Sequence, residues 1–170
     1  MDKLSNNLIE FTLVYNRHKS ALYYYIYKML NEKMVAEDIL QNVFLKFFQN
    51  MEAIKNKDAI AAWIYRTARN EIYEHLRKKR SRPEFPEEDL SYIDANDYLD
   101  GLIERKELKA LIISELKTMP PEQREVYLLK EYADLSYREI SAILEIEEEL
   151  VKSRLFKARK KLIERISKLI

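Results

Sequence analysis

Only one glycine, Gly101, occurs in 170 residues, alongside four prolines. Long, strongly periodic stretches with almost no glycine specify helices. Apolar/polar alternation bounded by turn residues, the mark of strands, is absent. An all-α chain is therefore expected. With no cysteine, disulfide and thiolate chemistry drop out. No apolar run approaches a membrane span and no signal-type apolar segment stands near Met1, so a cytoplasmic protein with no membrane insertion is expected.

The net charge of +1 conceals a strong asymmetry. Residues 1–82 hold 15 Lys and Arg against 9 Asp and Glu. Residues 83–104 hold eight acids and no base, and residues 105–170 hold 15 bases against 12 acids. Two basic helical blocks are joined by an acidic connector, which points toward a nucleic-acid partner. Pro83 and Pro86 open the connector; proline disfavours helix, and like charges keep a linker extended. The expected organisation is two small helical domains, 1–82 and 104–170, joined by an acidic flexible linker at 83–103.

In the first block, Phe11, Tyr15, Leu22 and Ile26 define one side of a helix from about residue 8 to Leu30, and a break follows at Asn31-Glu32-Lys33. Ile39, Val43 and Phe47 give a second helix over 36–48 its face. A polar loop, Lys55 to Asp58, leads into a long helix over about 59–80. That helix ends in Arg77-Lys78-Lys79-Arg80, with Arg82 beyond. Cations suit a helix C-terminus, but five bases in six positions exceed what a cap needs. Trp63 and the run Tyr23 to Tyr27 are read as packing surface.

In the second block one helix covers 108–116, Pro121 starts another that runs to Tyr132, and a helix-turn-helix completes the domain. Ser136 and Glu139 form a capping box, and Ile140, Ile143 and Leu144 supply the apolar face of the short helix. In the longer helix Val151, Leu155, Ala158 and Leu162 make one narrow stripe. Ser153, Phe156, Lys157 and Lys160 lie opposite. A large ring on a lysine-rich outer face suits contact with a thymine methyl in the major groove, or packing on a partner protein.

Three stretches carry a resemblance. Ala36 to Leu45, Trp63 to Asn70 with His75 to Arg80, and the segments Leu116–Val126, Leu135–Ile140 and Val151–Arg159 resemble, in this order, the characteristic regions of bacterial sigma factors. Having only two such domains is similar to the extracytoplasmic-function group of the sigma-70 family. The resemblance implies that Asp38, Gln41 and Phe44 face core RNA polymerase. It implies that Arg66, Arg69, Asn70, Tyr73, Arg77 and Lys78 engage the −10 element, Asn70 helping to line a pocket for a flipped base. Trp63, Tyr65 and Tyr73 are the aromatic candidates for stacking. It further implies that Lys152, Ser153, Phe156 and Lys157 enter the major groove of the −35 element, with Arg159 and Lys160 near its backbone. The implied partners are core RNA polymerase, promoter DNA and an anti-sigma factor.

The pattern departs from the family at the turn, where Glu145 stands in place of a glycine. A non-glycine residue at positive φ costs about 1–2 kcal/mol, so a differently built turn is expected. Glu147, Glu148 and Glu149 would approach phosphates. Two accounts stand: Glu149 accepts from a cytosine N4 amino group, or affinity for isolated DNA is weak and tethering to polymerase compensates. On the second, the 105–170 fragment is expected to bind DNA poorly alone, and Glu149→Gly to tighten it. The competing reading is a stand-alone helix-turn-helix regulator with an N-terminal dimerisation or sensing domain, which has no need of Asn70 or the basic end at 77–80. No enzyme is expected, and no cofactor or metal: His18 and His75 are isolated, and neither metal-ligand spacing nor a phosphate loop is present.

Overall fold

The computed structural model describes residues 2–81 and 103–169, all of whose regular elements are helical. Helix α1 spans Lys3–Leu30 and α2 spans Lys33–Asn50. A short 3-10 turn at Lys57–Ala59 leads into α3, Ile60–Ser81. Helix α1 starts earlier than its apolar periodicity implies, because Asp2 caps it: the carboxylate accepts from the Leu4 N–H at 2.6 Å. Asn31 ends α1 in the left-handed region at φ 58°, its N–H donating to the Tyr27 carbonyl. Asparagine visits that region at low cost, which is how the break between α1 and α2 is made without glycine.

Helices α1, α2 and α3 pack on one another. Leu22, Ile26, Val43, Phe47, Ile64, Ala68 and Ile72 are buried among them. Full burial of each large apolar side chain contributes about 1.5–3 kcal/mol. Phe11 joins the far end, in ring contact with Tyr15, Phe44, Phe47 and Phe48. Trp63 is half-buried against Phe47, in keeping with its reading as a packing residue.

Beyond the acidic stretch 83–102, which lies outside the described residues, α4 spans Ile103–Thr118 and α5 spans Pro121–Tyr127. Pro121 occupies the first turn, where its missing N–H costs nothing. The single helix expected to run on to Tyr132 is not continuous. Leu128–Tyr132 is a π-helical turn, closed by the Ala133 N–H on the Leu128 carbonyl at 3.2 Å. An inserted residue of this kind is invisible to a 3.6-residue periodicity.

The helix-turn-helix is α6, Tyr137–Leu144, and α7, Glu148–Ser167. Ser136 caps α6, accepting from the Glu139 N–H at 3.1 Å. The Glu139 carboxylate accepts from the Ser136 hydroxyl at 3.2 Å. The turn is built as a glycine turn is, which corrects the expectation of a different construction. Glu145 itself takes φ 56°, ψ 44° and donates its N–H to the Ser141 carbonyl. The Ser141 hydroxyl fixes the exit by donating to the Ile146 carbonyl at 2.5 Å. Val151, Leu155, Ala158 and Leu162 are all buried, as their spacing implies.

The two helical units also meet each other. Helices α1 and α3 of the first lie against α5, the π turn and α6 of the second.

Candidate nucleic-acid interface

On α3 the helical repeat places Arg66, Asn70, Tyr73 and Arg77 along one face, with Arg69 at its edge. Asn70 and Arg77 are exposed, whereas Arg69 and Tyr73 are half-buried. Lys78 lies on another side, paired with Glu74 at 3.1 Å. The basic end is partly neutralised by Glu32 from the α1–α2 turn. That carboxylate is 2.7 Å from His75 Nε2 and 3.4 Å from Lys79 Nζ. His75, isolated in the sequence, is thus half-buried against an acid of its own unit. Tyr65 is fully buried beside Tyr25, which removes it from the stacking candidates.

Part of this face is occupied by the second unit. Glu125 of α5 is 1% exposed. Its Oε1 accepts from Tyr25 Oη at 2.7 Å and from Arg69 Nε at 2.8 Å. Its Oε2 accepts from Tyr73 Oη at 2.8 Å. Arg69 also covers the Tyr73 ring, 4.5 Å from its centroid. Burial, reinforced by the adjacent carboxylate, raises the pKa of both the Tyr25 and Tyr73 hydroxyls. Burial opposes the Arg69 charge, but Glu125 and the two tyrosines outweigh it and its pKa rises. Four polar groups, three from one unit and one from the other, satisfy each other across the contact between the units. Nearby, Arg66 Nη2 donates to the Ala142 carbonyl of α6 at 2.6 Å, and Tyr24 stacks on Tyr132 at 4.5 Å between centroids.

Helix α7 presents the opposite situation. Lys152, Ser153, Phe156, Lys157, Arg159 and Lys160 are all exposed, and Phe156 retains 68% of its surface. A ring so placed serves no packing purpose among the described residues. Lys152 lies 3.4 Å from Glu149, one turn back, and over the Tyr137 ring. Arg159 is pulled aside, its Nε donating to Glu131 at 2.9 Å. It faces a carboxylate of its own unit and would have to leave that partner to meet a phosphate. Glu147, the N-cap residue of α7, makes no side-chain capping bond.

On α2, Asp38 and Gln41 are exposed, but Phe44 is not. It is 3% exposed and its ring meets Tyr15 edge-on at 4.8 Å. The expected placement of Phe44 on a partner-facing surface is corrected accordingly: it packs beneath α1. The apolar groups exposed on α2 are Met34 and Leu45. Spacing alone assigns no role to Tyr25 or Glu125. For Glu125 a signal exists: it stands three and four residues before the buried Leu128 and Leu129, an acid set in an apolar stripe.

This order of helices has known counterparts. Residues 14–82 match the model of Sigma-70 region 2, and residues 109–162 match that of Sigma-70, region 4. The chain belongs to the sigma-70 family. The two matches span most of this sigma factor and leave the acidic stretch between them. Among its relatives is the ECF RNA polymerase sigma-E factor of Escherichia coli K12, 28% identical over 144 residues, which cover 78% of this chain and 74% of the relative. The ECF RNA polymerase sigma factor SigM of Bacillus subtilis is 25% identical over 149 residues, 88% of this chain and 90% of the relative. The sigma factor shares its fold with CnrH, solved with the cytosolic domain of CnrY. That match has a TM-score of 0.69 and 22% identity, covering 96% of this chain and 91% of the other. It shares it also with RpoE of Bartonella quintana, solved with the anti-sigma factor NepR. There the TM-score is 0.70 and the identity 21%, covering 93% of this chain and 97% of the other. Among the described residues no helix is long and apolar enough to cross a membrane.

Proposed function

We propose that this sigma factor binds bacterial core RNA polymerase in the cytoplasm and places it on promoters through two DNA contacts. Helix α7 reads the −35 element, with Lys152, Ser153, Phe156 and Lys157 in the major groove and Lys160 on the backbone. Helix α3 holds the melted −10 element, with Arg66, Arg69, Arg77 and Lys78 on phosphates and Asn70 and Tyr73 toward an extruded base. Asp38 and Gln41 are the polar core-polymerase contacts. Strand separation needs no catalytic group. It needs a site whose contacts offset an unstacking cost of a few kcal/mol, to which base–aromatic stacking contributes about 1–3 kcal/mol. An anti-sigma partner belongs to the same reading, supported by the likeness of this fold to factors captured in such complexes.

The single observation carrying the proposal is that a region 2 match and a region 4 match occur in that order on one chain. A stand-alone regulator would not carry the first. The test is run-off transcription with bacterial core polymerase, with and without the protein, on a promoter library. Specific transcripts that depend on the protein are expected. Failure of the protein to bind core polymerase in a pull-down would overturn the reading.

A further inference from the structure

Lys152 and Arg159 stand two turns apart on α7 and so share one edge of the helix. Both are exposed, yet both are held by groups of their own unit. Arg159 Nε donates to Glu131 Oε1 at 2.9 Å, and Arg159 Nη2 donates to the same oxygen. Glu131 belongs to the π turn, so one carboxylate ties that turn to α7. Its bonds make the Arg159 guanidinium hold its proton more tightly than usual, and Tyr137 adds to the effect. Tyr137 is the first residue of α6. Its ring supports two lysines, with Lys130 Nζ 4.7 Å and Lys152 Nζ 5.6 Å from the centroid. Lys130 is itself fixed, donating to the Leu135 carbonyl at 3.2 Å. Tyr137 therefore lies between the anchored Arg159 and the base-reading Lys152.

We infer that Glu131 and Arg159 are positioning residues for base reading: their bond fixes Tyr137, and the Tyr137 ring holds Lys152 on the edge of α7 from which it enters the major groove. Arg159 is then not a phosphate contact, although its place on the helix invites that role. An ion pair as exposed as Glu131–Arg159 contributes little to stability. Its planar fork does restrict direction, because two N–H groups converge on one oxygen. Lysine has a long flexible stem, and fixing it on binding costs side-chain freedom. A lysine already resting on an anchored ring loses less, and approaches the bases from one direction. Glu131 thus acts on sequence discrimination without touching DNA.

This inference rests on the assignment of Lys152 to the −35 element. Its test uses holoenzyme reconstituted from core polymerase and the full chain. The probes are a duplex recovered by the wild-type holoenzyme from a pool randomised over the −35 element, and its single-base-pair variants. Glu131→Gln keeps the side-chain size and removes the charge that anchors Arg159. Arg159→Gln removes the other partner and serves if Glu131→Gln does not fold. Each is expected to lose about tenfold of discrimination at one base pair, the same one at which Lys152→Ala loses it. Adding Glu131→Gln to Lys152→Ala should change nothing further at that base pair, because the two act through one contact. In Arg159→Gln the salt dependence of binding should keep its slope. A slope shallower by about 0.9 would overturn the inference, since that is the mark of one lost phosphate contact. Tighter binding by Glu131→Gln would overturn it too, as the release of a restrained phosphate contact. Equal weakening on every duplex would reduce the pair to a structural one and overturn it as well. Recovery of a duplex by the wild type tests the promoter-binding reading separately, so the two failures are told apart.

Discussion

Glu145 sits at φ 56°, ψ 44° in the turn between α6 and α7. Its Cβ crowds the following carbonyl there, at a cost of about 1–2 kcal/mol. Glycine has no such conflict, but it loses more backbone freedom on folding, which costs about 0.5–1 kcal/mol. Glu145→Gly should therefore stabilise the folded chain by a net of about 0.5–1 kcal/mol. The Glu145 side chain is exposed, so little else is lost. Alanine keeps the Cβ and discards the carboxylate, so Glu145→Ala should leave stability within about 0.5 kcal/mol of the parent. The assay is urea unfolding followed by circular dichroism. The midpoint should rise for the glycine variant and stay put for the alanine variant, with the slope unchanged in both. Equal midpoints for glycine and alanine would refute the strain argument, since the net gain expected of glycine, after its greater loss of backbone freedom, comes from removing the Cβ that alanine retains.

Tyr25, Tyr65, Tyr73 and Tyr132 all hold their hydroxyl protons more tightly than the usual tyrosine, and burial pushes Tyr127 up to about 12. The unfolded chain releases these protons near pH 10 while the folded chain keeps them. Their stabilisation is complete below about pH 10 and fades as pH rises toward the folded values; an unfolding midpoint flat between pH 9 and pH 11 would contradict this. Replacing Phe156 by alanine should shift stability by less than about 0.5 kcal/mol but weaken binding to a −35 duplex by roughly 1 kcal/mol, measured by anisotropy. Asn70→Ala should reduce permanganate reactivity of the open bubble, and an unchanged footprint would remove Asn70 from the base pocket. Leu155→Ala, in the buried stripe of α7, should cost about 2–5 kcal/mol in urea unfolding.

Most of the architecture was legible in side-chain spacing. The stripe Val151–Leu155–Ala158–Leu162, the Ser136 cap and Pro121 at a helix start are local patterns with local causes. What spacing could not supply was partnership at long range. Phe44 reads as one more residue on a contact helix, and only the packing of α1 over α2 buries it. Tyr25 lies 100 positions from the carboxylate it binds, and nothing in its neighbourhood distinguishes it from Tyr23, Tyr24 or Tyr27. Glu125 carried a weak signal as an acid in an apolar stripe, but its donors come from the other unit. Glu145 shows the reverse error. Its identity argued against a glycine-type turn, yet the bonds of Ser141 and the packing on either side hold it in that conformation.

The π turn at Leu128–Tyr132 makes the relation between the two units depend on chain length as well as on composition. A chain one residue shorter in this turn would close it as ordinary α-helix and rotate the downstream segment by about 100°. Tyr132 would swing away from Tyr24, and the frame in which α6 meets α3 would change with it. At this joint a single-residue deletion acts as a geometric instruction, able to uncouple the two halves while leaving every side chain of α3 and α7 in place.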